Sequence, residues 1–163
     1  MSSTEPTTAD LEARRAARRY PERPIVAVLA VVLRGDGSDT RALIVQRAQQ
    51  PNAGRWGFPG GVLELGETVG AGAMRELREE TGVTAEPAGV LNVNDAIDRD
   101  EEGRVRFHYT LIAVRGVWCS GEGVAADDAA AVAWVSRDDI VAGRYPTFPT
   151  LLPLIDLALA AAT

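Results

Sequence analysis

The stretch Gly60-Gly61-Val62-Leu63-Glu64-Leu65-Gly66-Glu67, continued by Met74-Arg75-Glu76-Leu77-Arg78-Glu79-Glu80-Thr81-Gly82-Val83, determines how the rest of the chain is interpreted. Residues 68–81 have the pattern of a helix, and Gly82 is placed to end it. Residues three and four positions apart share a helix face, so Glu76, Glu79 and Glu80 project together. Three like charges on one face favour a bound cation. Oxygen ligands suit Mg²⁺ or Mn²⁺, ions that usually also contact a substrate phosphate.

The residues around these glutamates support the same site. Arg75 lies one turn before Glu79, so an i,i+4 ion pair can hold that carboxylate in position. Glu67 stands at the entrance to the helix, where it can either join the site or brace Arg75. Either Glu67 or Thr68 is the expected N-cap. The backbone at Gly60 and Gly61 can approach an ion or a phosphate closely because these residues have no side chain.

Composition and charge narrow the class of protein. The chain has 163 residues, a length that predicts one domain. Its net charge of -6 predicts that it binds neither nucleic acid nor a membrane surface. The single Cys119 excludes an internal disulfide and favours a reducing cytoplasm. No signal peptide and no apolar run long enough to span a bilayer is recognised. We therefore expect a cytoplasmic globular protein.

The first 23 residues are predicted to form a flexible arm. Residues 1–10 are rich in Ser, Thr, Pro and Glu, which indicates disorder, and residues 11–20 predict a short helix with Asp10 as its N-cap. The arginines of this helix could bind phosphate, but such a charge run is more often a solvated face. Pro21 and Pro24 end the arm, and a single domain is expected over residues 24–163.

The domain is predicted to mix strands and helices. Strands are expected at 25–33, 41–47, 58–63, 91–97, 104–114 and 131–135, and helices at 68–81, 137–141 and 150–162. The uninterrupted apolar run of the first strand indicates burial on both faces. This order of elements predicts an α/β or α+β fold in which the sheet lies between helices.

The spacing of the central stretch resembles the Nudix box. Gly61 is followed by five residues and Glu67, then by seven residues and the run from Arg75 to Val83. The stretch is preceded by Trp56-Gly57-Phe58-Pro59-Gly60. A solvated, salt-bridged helix would not explain these spacings. The resemblance implies a Nudix-type α/β/α sandwich with a mixed β-sheet.

The resemblance also implies a reaction and a set of metal ligands. In the family, the matching positions carry the metal through the carbonyl of Gly61 and the carboxylates of Glu76, Glu79 and Glu80. This implies a Mg²⁺- or Mn²⁺-dependent hydrolase that cleaves the pyrophosphate of a nucleoside diphosphate linked to another moiety X. Water attacks phosphorus in line, and the ions activate that water and neutralise the phosphate charge.

The box leaves the general base and the substrate pocket open. In the family the base lies in the box or on a later loop, and the later candidates here are Glu122, Asp127 and Asp128, of which we favour Asp128. The predicted catalytic residues are Glu67, Arg75, Glu79 and Asp128. The predicted substrate-binding residues are Arg47, Trp56, Gly60 and Gly61, although Trp56 is more often a core residue in such a position than a platform for a base.

Several substrates are compatible with the box. The segments at 93–98 and 103–109 resemble short bacterial Nudix proteins of the ADP-ribose pyrophosphatase type, so we expect ADP-ribose or a related nucleotide sugar or dinucleotide. The alternative is a house-cleaning (deoxy)nucleoside triphosphate pyrophosphohydrolase, and a coenzyme A-cleaving member ranks lower. A non-catalytic nucleotide sensor is a third hypothesis, but sensors tend to lose box carboxylates that this chain retains. Homodimers are common in the family, and the apolar C-terminal helix is compatible with one.

Overall fold

The computed structural model describes residues 7–162, without the side chains of residues 11 and 15. The helices in this range are α1 (Thr8–Ala16), α2 (Val69–Thr81), α3 (Arg137–Val141) and α4 (Leu151–Ala161). The strands are β1 (Ile25–Arg34), β2 (Arg41–Arg47), β3 (Trp56–Gly57), β4 (Gly60–Val62), β5 (Thr84–Arg99), β6 (Val105–Ser120) and β7 (Ala129–Val135). None of the helices in this range is both long enough and apolar enough to cross a membrane.

Strand β1 is the centre of the sheet. It runs parallel to β6, with Ile25 opposite Tyr109 and Leu33 opposite Val117. Its other edge pairs antiparallel with β4 and then with β2. β5 pairs antiparallel with β6, and β2 also pairs with β3 and β7. The sheet is therefore mixed, as predicted.

The side chains of β1 alternate between two cores. Val28, Ala30 and Val32 are buried on the face that packs against α2. Val31 is buried on the opposite face, where Leu154 of α4 packs. Because successive strand residues point to opposite faces, one apolar strand supplies both layers. This confirms the predicted α/β/α sandwich.

Helix α2 begins and ends where its sequence indicates. The hydroxyl of Thr68 accepts a hydrogen bond from the N–H of Ala71 at 3.1 Å, so Thr68 rather than Glu67 is the N-cap. Gly82 follows the helix in the left-handed conformation, with φ of 68°, and its N–H donates to the carbonyl of Arg78. A left-handed residue at this position favours glycine because a Cβ atom would be strained.

Two glycines in the first turns of α2 allow close packing. A Cβ atom on Gly70 would lie 2.9 Å from Cβ of Pro87 on β5. A Cβ atom on Gly72 would lie 2.7 Å from Leu63 and 2.9 Å from the carboxylate of Glu67. Each glycine lowers the stability of the helix by about 1 kcal/mol relative to Ala. A larger residue at either position would push the helix away from the sheet.

The N-cap of α2 gives the first testable prediction. We expect Thr68→Ala to lower the free energy of unfolding by about 1 kcal/mol, because the Ala71 N–H loses its partner. Thr150 is the matched control, since it stands at the N-cap of α4 without a side-chain capping bond. Chemical denaturation of both variants measures the difference. Equal losses in the two variants would show that the cap bond of Thr68 contributes nothing.

Helix α1 starts earlier than predicted because a different residue caps it. The N–H of Asp10 donates to the Thr7 hydroxyl at 3.2 Å, and the N–H of Thr7 donates to the Asp10 carboxylate at 3.0 Å. The predicted helix at 11–20 with Asp10 as N-cap is therefore wrong at both ends, since α1 spans Thr8–Ala16. Residues 8–10 are helical rather than disordered, and residues 1–6 of that prediction lie outside the described residues.

Strands β5 and β6 are longer than the predicted 91–97 and 104–114. Pro87 and Gly89 indicate an interruption in the sequence, but β5 lies at the end of the described sheet, where a missing N–H is tolerated. Register shifts between Pro87 and Val90 absorb the irregularity. In β6, Gly116 packs against Val32, where a Cβ atom would lie 2.9 Å from Cγ2. Strand β3 (Trp56–Gly57) was not predicted, and the strand predicted at 58–63 is confined to Gly60–Val62. The other elements agree with the prediction to within a few residues at each end.

Candidate metal centre and active site

Gly61 and Glu76 are in direct contact. Gly61 lies on β4 opposite Val28 of β1, and Glu76 lies in the second half of α2. A Cβ atom on Gly61 would lie 2.6 Å from the carboxyl carbon of Glu76, so only glycine leaves room for this carboxylate. The Glu76 side chain is 13% exposed, and its burial is the main reason why its pKa is raised. The backbone at Gly61 and this carboxylate therefore form one wall of the site.

Arg75 binds three carboxylates. Its Nε donates to Glu67 Oε1 at 2.5 Å and its Nη2 to Glu67 Oε2 at 3.1 Å. Its Nη1 donates to Glu76 at 2.8 Å and to Glu79 at 3.1 Å, the latter being the predicted i,i+4 contact. The hydrogen bond to Glu67 is the main reason why the pKa of Arg75 is raised. Glu67 therefore contacts Arg75, as expected for the bracing role among the two roles that the sequence leaves open.

Glu80 is a buried carboxylate whose ionised form is destabilised by its surroundings. The residue is 7% exposed. Burial, and after it the neighbouring charge of Glu76, raises the pKa of Glu80 to about 8, while a hydrogen bond from the Gly60 backbone opposes this shift. Asp127 and Asp128 add further repulsion. A buried group with such neighbours is stabilised by a cation.

The loop at residues 121–128, named here the aspartate loop, brings Asp127 and Asp128 to the end of α2. The N–H of Ala126 donates to the carbonyl of Glu80 at 3.0 Å. Asp127, in a left-handed conformation with φ of 52°, raises the pKa values of both Glu76 and Glu80 by its charge. The predicted base Asp128 lies in the same cluster of carboxylates. Asp127, which was also a candidate from the sequence, therefore lies close to the same carboxylates as Asp128.

The carboxylates fit a divalent cation in chemistry, although they do not surround a common point. Within residues 7–162, no three acidic, His or Cys side chains form a preformed metal-binding cluster. Glu76 and Glu79 instead converge on Nη1 of Arg75. The donor set is all oxygen, and the raised pKa values of Glu76 and Glu80 reflect burial and repulsion that a hard cation would relieve. The residues present therefore fit Mg²⁺ or Mn²⁺.

The predicted substrate-binding residues lie in two different surroundings. Arg47 ends β2 opposite Ala129, the residue that follows the aspartate loop, and is exposed there. Gly60 contacts Glu80 through its N–H. Trp56 packs edge-on against Tyr145, with ring centroids 5.1 Å apart, and joins the core on the α4 face. The surroundings of Trp56 are those of a core residue, which is the more common role of a tryptophan in such a position.

Gln49 contacts the candidate base Asp128, although no pattern in the sequence distinguishes it. Its Nε2 donates to Oδ1 of Asp128 at 3.3 Å, and the N–H of the preceding Ala48 donates to the Asp128 carbonyl at 3.1 Å. The only signal in the sequence is that Gln49 belongs to the polar loop at 46–56. No charge or spacing distinguishes it from its neighbours, because its partner lies 79 positions away.

The pair formed by Glu67 and Arg75 predicts a dependence of stability on pH. The hydrogen bond from Arg75 lowers the pKa of Glu67 below its ordinary value of 4.5. The ionised Glu67 therefore contributes to the free energy of unfolding above about pH 4.5, its ordinary pKa. This contribution is lost as the pH falls through the lowered pKa of Glu67 in the folded protein. We expect Glu67→Gln to destabilise the protein near about pH 7 and to have a shrinking effect toward about pH 3. Urea unfolding measures this, with Glu64→Gln in the same loop as control. An effect of Glu67→Gln that is constant over this range would contradict the linkage.

Known proteins resemble this chain along most of its length. The ADP-ribose pyrophosphatase of Methanocaldococcus jannaschii is 36% identical over 106 residues, which is 65% of this chain and 58% of that protein. The CTP pyrophosphohydrolase of Escherichia coli K12 is 30% identical over 146 residues, covering 83% of this chain and 93% of that protein. The chain thus spans little more than half the length of the archaeal relative.

A solved structure agrees with the fold. The bifunctional NMN adenylyltransferase/ADP ribose pyrophosphatase of Francisella tularensis, complexed with AMP and a Mn ion, superimposes with a TM-score of 0.65 at 28% identity. The match covers 94% of this chain and 46% of that one. A mixed sheet between helices, with a carboxylate-bearing helix after a glycine strand, defines the Nudix class of fold. The NUDIX domain model matches residues 23–155, and the chain belongs to this family.

Proposed function

We propose that the protein hydrolyses a pyrophosphate bond in a nucleoside diphosphate linked to another moiety, with ADP-ribose as the first candidate substrate. The observation that carries this proposal is the placement of Glu76 and Glu80 against the Gly60–Gly61 backbone, next to the aspartate loop. Two largely buried carboxylates beside a backbone without side chains suit a cation and the phosphates that it binds. The ADP-ribose pyrophosphatase relative supports the choice of substrate.

We further propose Mg²⁺ or Mn²⁺ as the cofactor, held by Glu76, Glu79, Glu80 and the carbonyl of Gly61. When bound, such an ion neutralises phosphate charge and lowers the pKa of an attacking water. The protein supplies the ligands and their orientation. Arg75 holds Glu79 in position, and Glu67 in turn holds Arg75 through two hydrogen bonds.

The remaining residues of the proposed site accept the proton of the attacking water and bind the substrate. We assign Asp128 as the acceptor of the proton from the attacking water, and Gln49 orients its carboxylate. Asp127 in the same loop and Glu79 within the box are the alternative bases. Arg47, at the same end of the sheet, is suited to a terminal phosphate because its guanidinium binds phosphate in a bidentate manner. Trp56 has the weakest support as a substrate-binding residue, since its ring packs on Tyr145.

The second candidate is a nucleoside triphosphate pyrophosphohydrolase. The Escherichia coli CTP pyrophosphohydrolase supports it, because that relative is matched over 93% of its length. A non-catalytic nucleotide sensor ranks third, since Glu67, Glu76, Glu79 and Glu80 are all retained. We keep the homodimer and the cytoplasmic location as proposals, and light scattering of the purified protein tests the former.

A substrate panel distinguishes these candidates. The protein is incubated with Mg²⁺ or Mn²⁺ and with ADP-ribose, dinucleotides or nucleoside triphosphates, and the products are separated by chromatography. AMP with ribose 5-phosphate supports the first proposal, whereas a nucleoside monophosphate with pyrophosphate supports the second. Binding of a nucleotide without turnover of any of them would favour the sensor.

A further inference from the structure

Two tryptophans hold the first residues of the aspartate loop. The indole N–H of Trp134, on β7, donates to the carbonyl of Glu122 at 2.8 Å. The indole N–H of Trp118, on β6, donates to the carbonyl of Gly121 at 3.1 Å. Two adjacent loop carbonyls are thus bound by side chains from two different strands. A backbone segment held in this way has little freedom to shift relative to the sheet.

Arg34 joins the two tryptophans to the loop. Its guanidinium lies 4.3 Å from the ring centroid of Trp134 and 5.6 Å from that of Trp118, both within cation–π range. Its Nη1 also donates to the carboxylate of Glu122 at 2.9 Å. The Arg34 side chain is 30% exposed, and that of Glu122 is 84% exposed. The exposed ion pair alone would contribute little, so stacking on the rings and the indole bonds provide most of the restraint.

The held segment leads directly to the carboxylate cluster. The N–H of Val124 donates to the carbonyl of Thr81 at 2.8 Å, and that of Ala126 donates to the carbonyl of Glu80 at 3.0 Å. Gly123 packs so closely that a Cβ atom there would lie 2.9 Å from Val132. The loop therefore runs from the tryptophans across the last turn of α2, and Asp127 and Asp128 follow immediately.

We propose that Arg34, Trp118 and Trp134, named here the clamp, are positioning residues for the aspartate loop. They fix Gly121 and Glu122, and through Val124 and Ala126 they set where Asp128 stands relative to Glu80. The inference rests on the proposed function, in which Asp128 accepts a proton. The hydrogen bonds of the clamp described above go to Gly121 and Glu122 and not to a proposed metal ligand. A displacement of a catalytic group by as little as about 1 Å can cost about a hundredfold in rate.

Kinetics of clamp variants provide the first test. We expect Trp134→Phe, which keeps an aromatic ring but removes the N–H, to lower kcat by about 10- to 100-fold with KM nearly unchanged. Arg34→Ala should lower kcat to a similar extent. Arg34→Lys should retain part of the wild-type kcat, because lysine keeps a cation near the two rings. Arg137→Ala is the matched control, since Arg137 forms a comparable ion pair with Asp156 between α3 and α4. Wild-type kcat in Trp134→Phe and in Arg34→Ala would overturn the proposal.

A double-mutant cycle tests whether the clamp acts through the loop carboxylate. In the Asp128→Asn background, Trp134→Phe should lower kcat by less than about threefold, because the group that it positions is already gone. If the two losses multiply in full, the clamp acts independently of Asp128 and the proposal is wrong.

Amide exchange provides a readout that does not depend on activity. We expect the N–H groups of Val124 and Ala126 to exchange at least about tenfold faster in Trp134→Phe than in wild type, measured by NMR, with the α4 amides unchanged. Unchanged exchange at both amides would overturn the clamp even if kcat fell. If exchange accelerates but the wild type hydrolyses no substrate, the clamp stands as a loop anchor and the proposed function fails.

Discussion

Glu79→Gln is expected to lower kcat by about a thousandfold, because losing one of the carboxylates proposed to bind the metal removes several kcal/mol of charge stabilisation in the transition state. Gln has almost the same shape as Glu and can still accept a hydrogen bond from Arg75, which lies 3.1 Å from Glu79. The substitution therefore removes the negative charge and leaves the size of the side chain unchanged. The rate should be measured on the substrate that the panel identifies, at saturating Mg²⁺.

Stability should hardly change in the same variant. The Glu79 side chain is 44% exposed, so its ion pair with Arg75 is partly screened by solvent and contributes little to folding. Thermal unfolding of Glu79→Gln should thus resemble that of the wild type. Glu86→Gln, an exposed substitution on β5, is the matched control for the loss of one negative charge. A Glu79→Gln enzyme with near-normal kcat would overturn the assignment of the metal face.

The helix and its carboxylate face were predictable from local sequence because their determinants are local. The cap at Thr68, the left-handed Gly82 and the common face of Glu76, Glu79 and Glu80 follow from spacings of three to five residues. The long apolar run of β1 likewise predicts a strand with a core on each side. Helix α2 and the sheet with a core on each side could therefore be predicted from residues that are close together in the sequence.

Features that depend on distant residues could not be predicted in this way. Both Thr7 and Asp10 are suitable N-caps for α1, and the local sequence does not decide between them. Strand β5 continues through Pro87 because this strand lies at the end of the described sheet. The clamp brings together Arg34, Trp118 and Trp134, which are separated by many positions in the chain. No spacing rule connects such residues, because the sheet register alone decides which of them meet.

The role of Glu67 was open in the sequence for a related reason. A carboxylate at the entrance to a helix can reach either a metal or a neighbouring cation, and both lie within range of its side chain. In the structure Glu67 packs beside Gly72, where a Cβ atom would lie 2.9 Å from Glu67 Oε2. The glycine lets Glu67 fold against the helix and bind Arg75 at 2.5 Å. The absence of a side chain at Gly72 thus explains how Glu67 reaches Arg75.

The adjacent glycines Gly60 and Gly61 should respond to alanine in opposite ways. A Cβ atom on Gly61 would collide with the carboxylate of Glu76, which is the movable end of a flexible side chain. Gly61→Ala should therefore fold normally but displace Glu76, and the apparent affinity for Mg²⁺ should fall by about 10- to 100-fold. A Cβ atom on Gly60 would instead collide with the carbonyl oxygen of Val28, which belongs to the backbone of the central strand.

Backbone cannot yield as a side chain does, so Gly60→Ala should lower the free energy of unfolding by about 1–3 kcal/mol, the usual cost of overpacking. Chemical denaturation and a titration of activity against Mg²⁺, applied to both variants, separate the two effects. Because the two positions are neighbours on one short strand, a general disturbance of β4 would alter both properties in both variants. Normal Mg²⁺ dependence in Gly61→Ala would show that the contact between Gly61 and Glu76 does not position a metal ligand, and the all-oxygen site would then have to be built around Glu79 and Glu80.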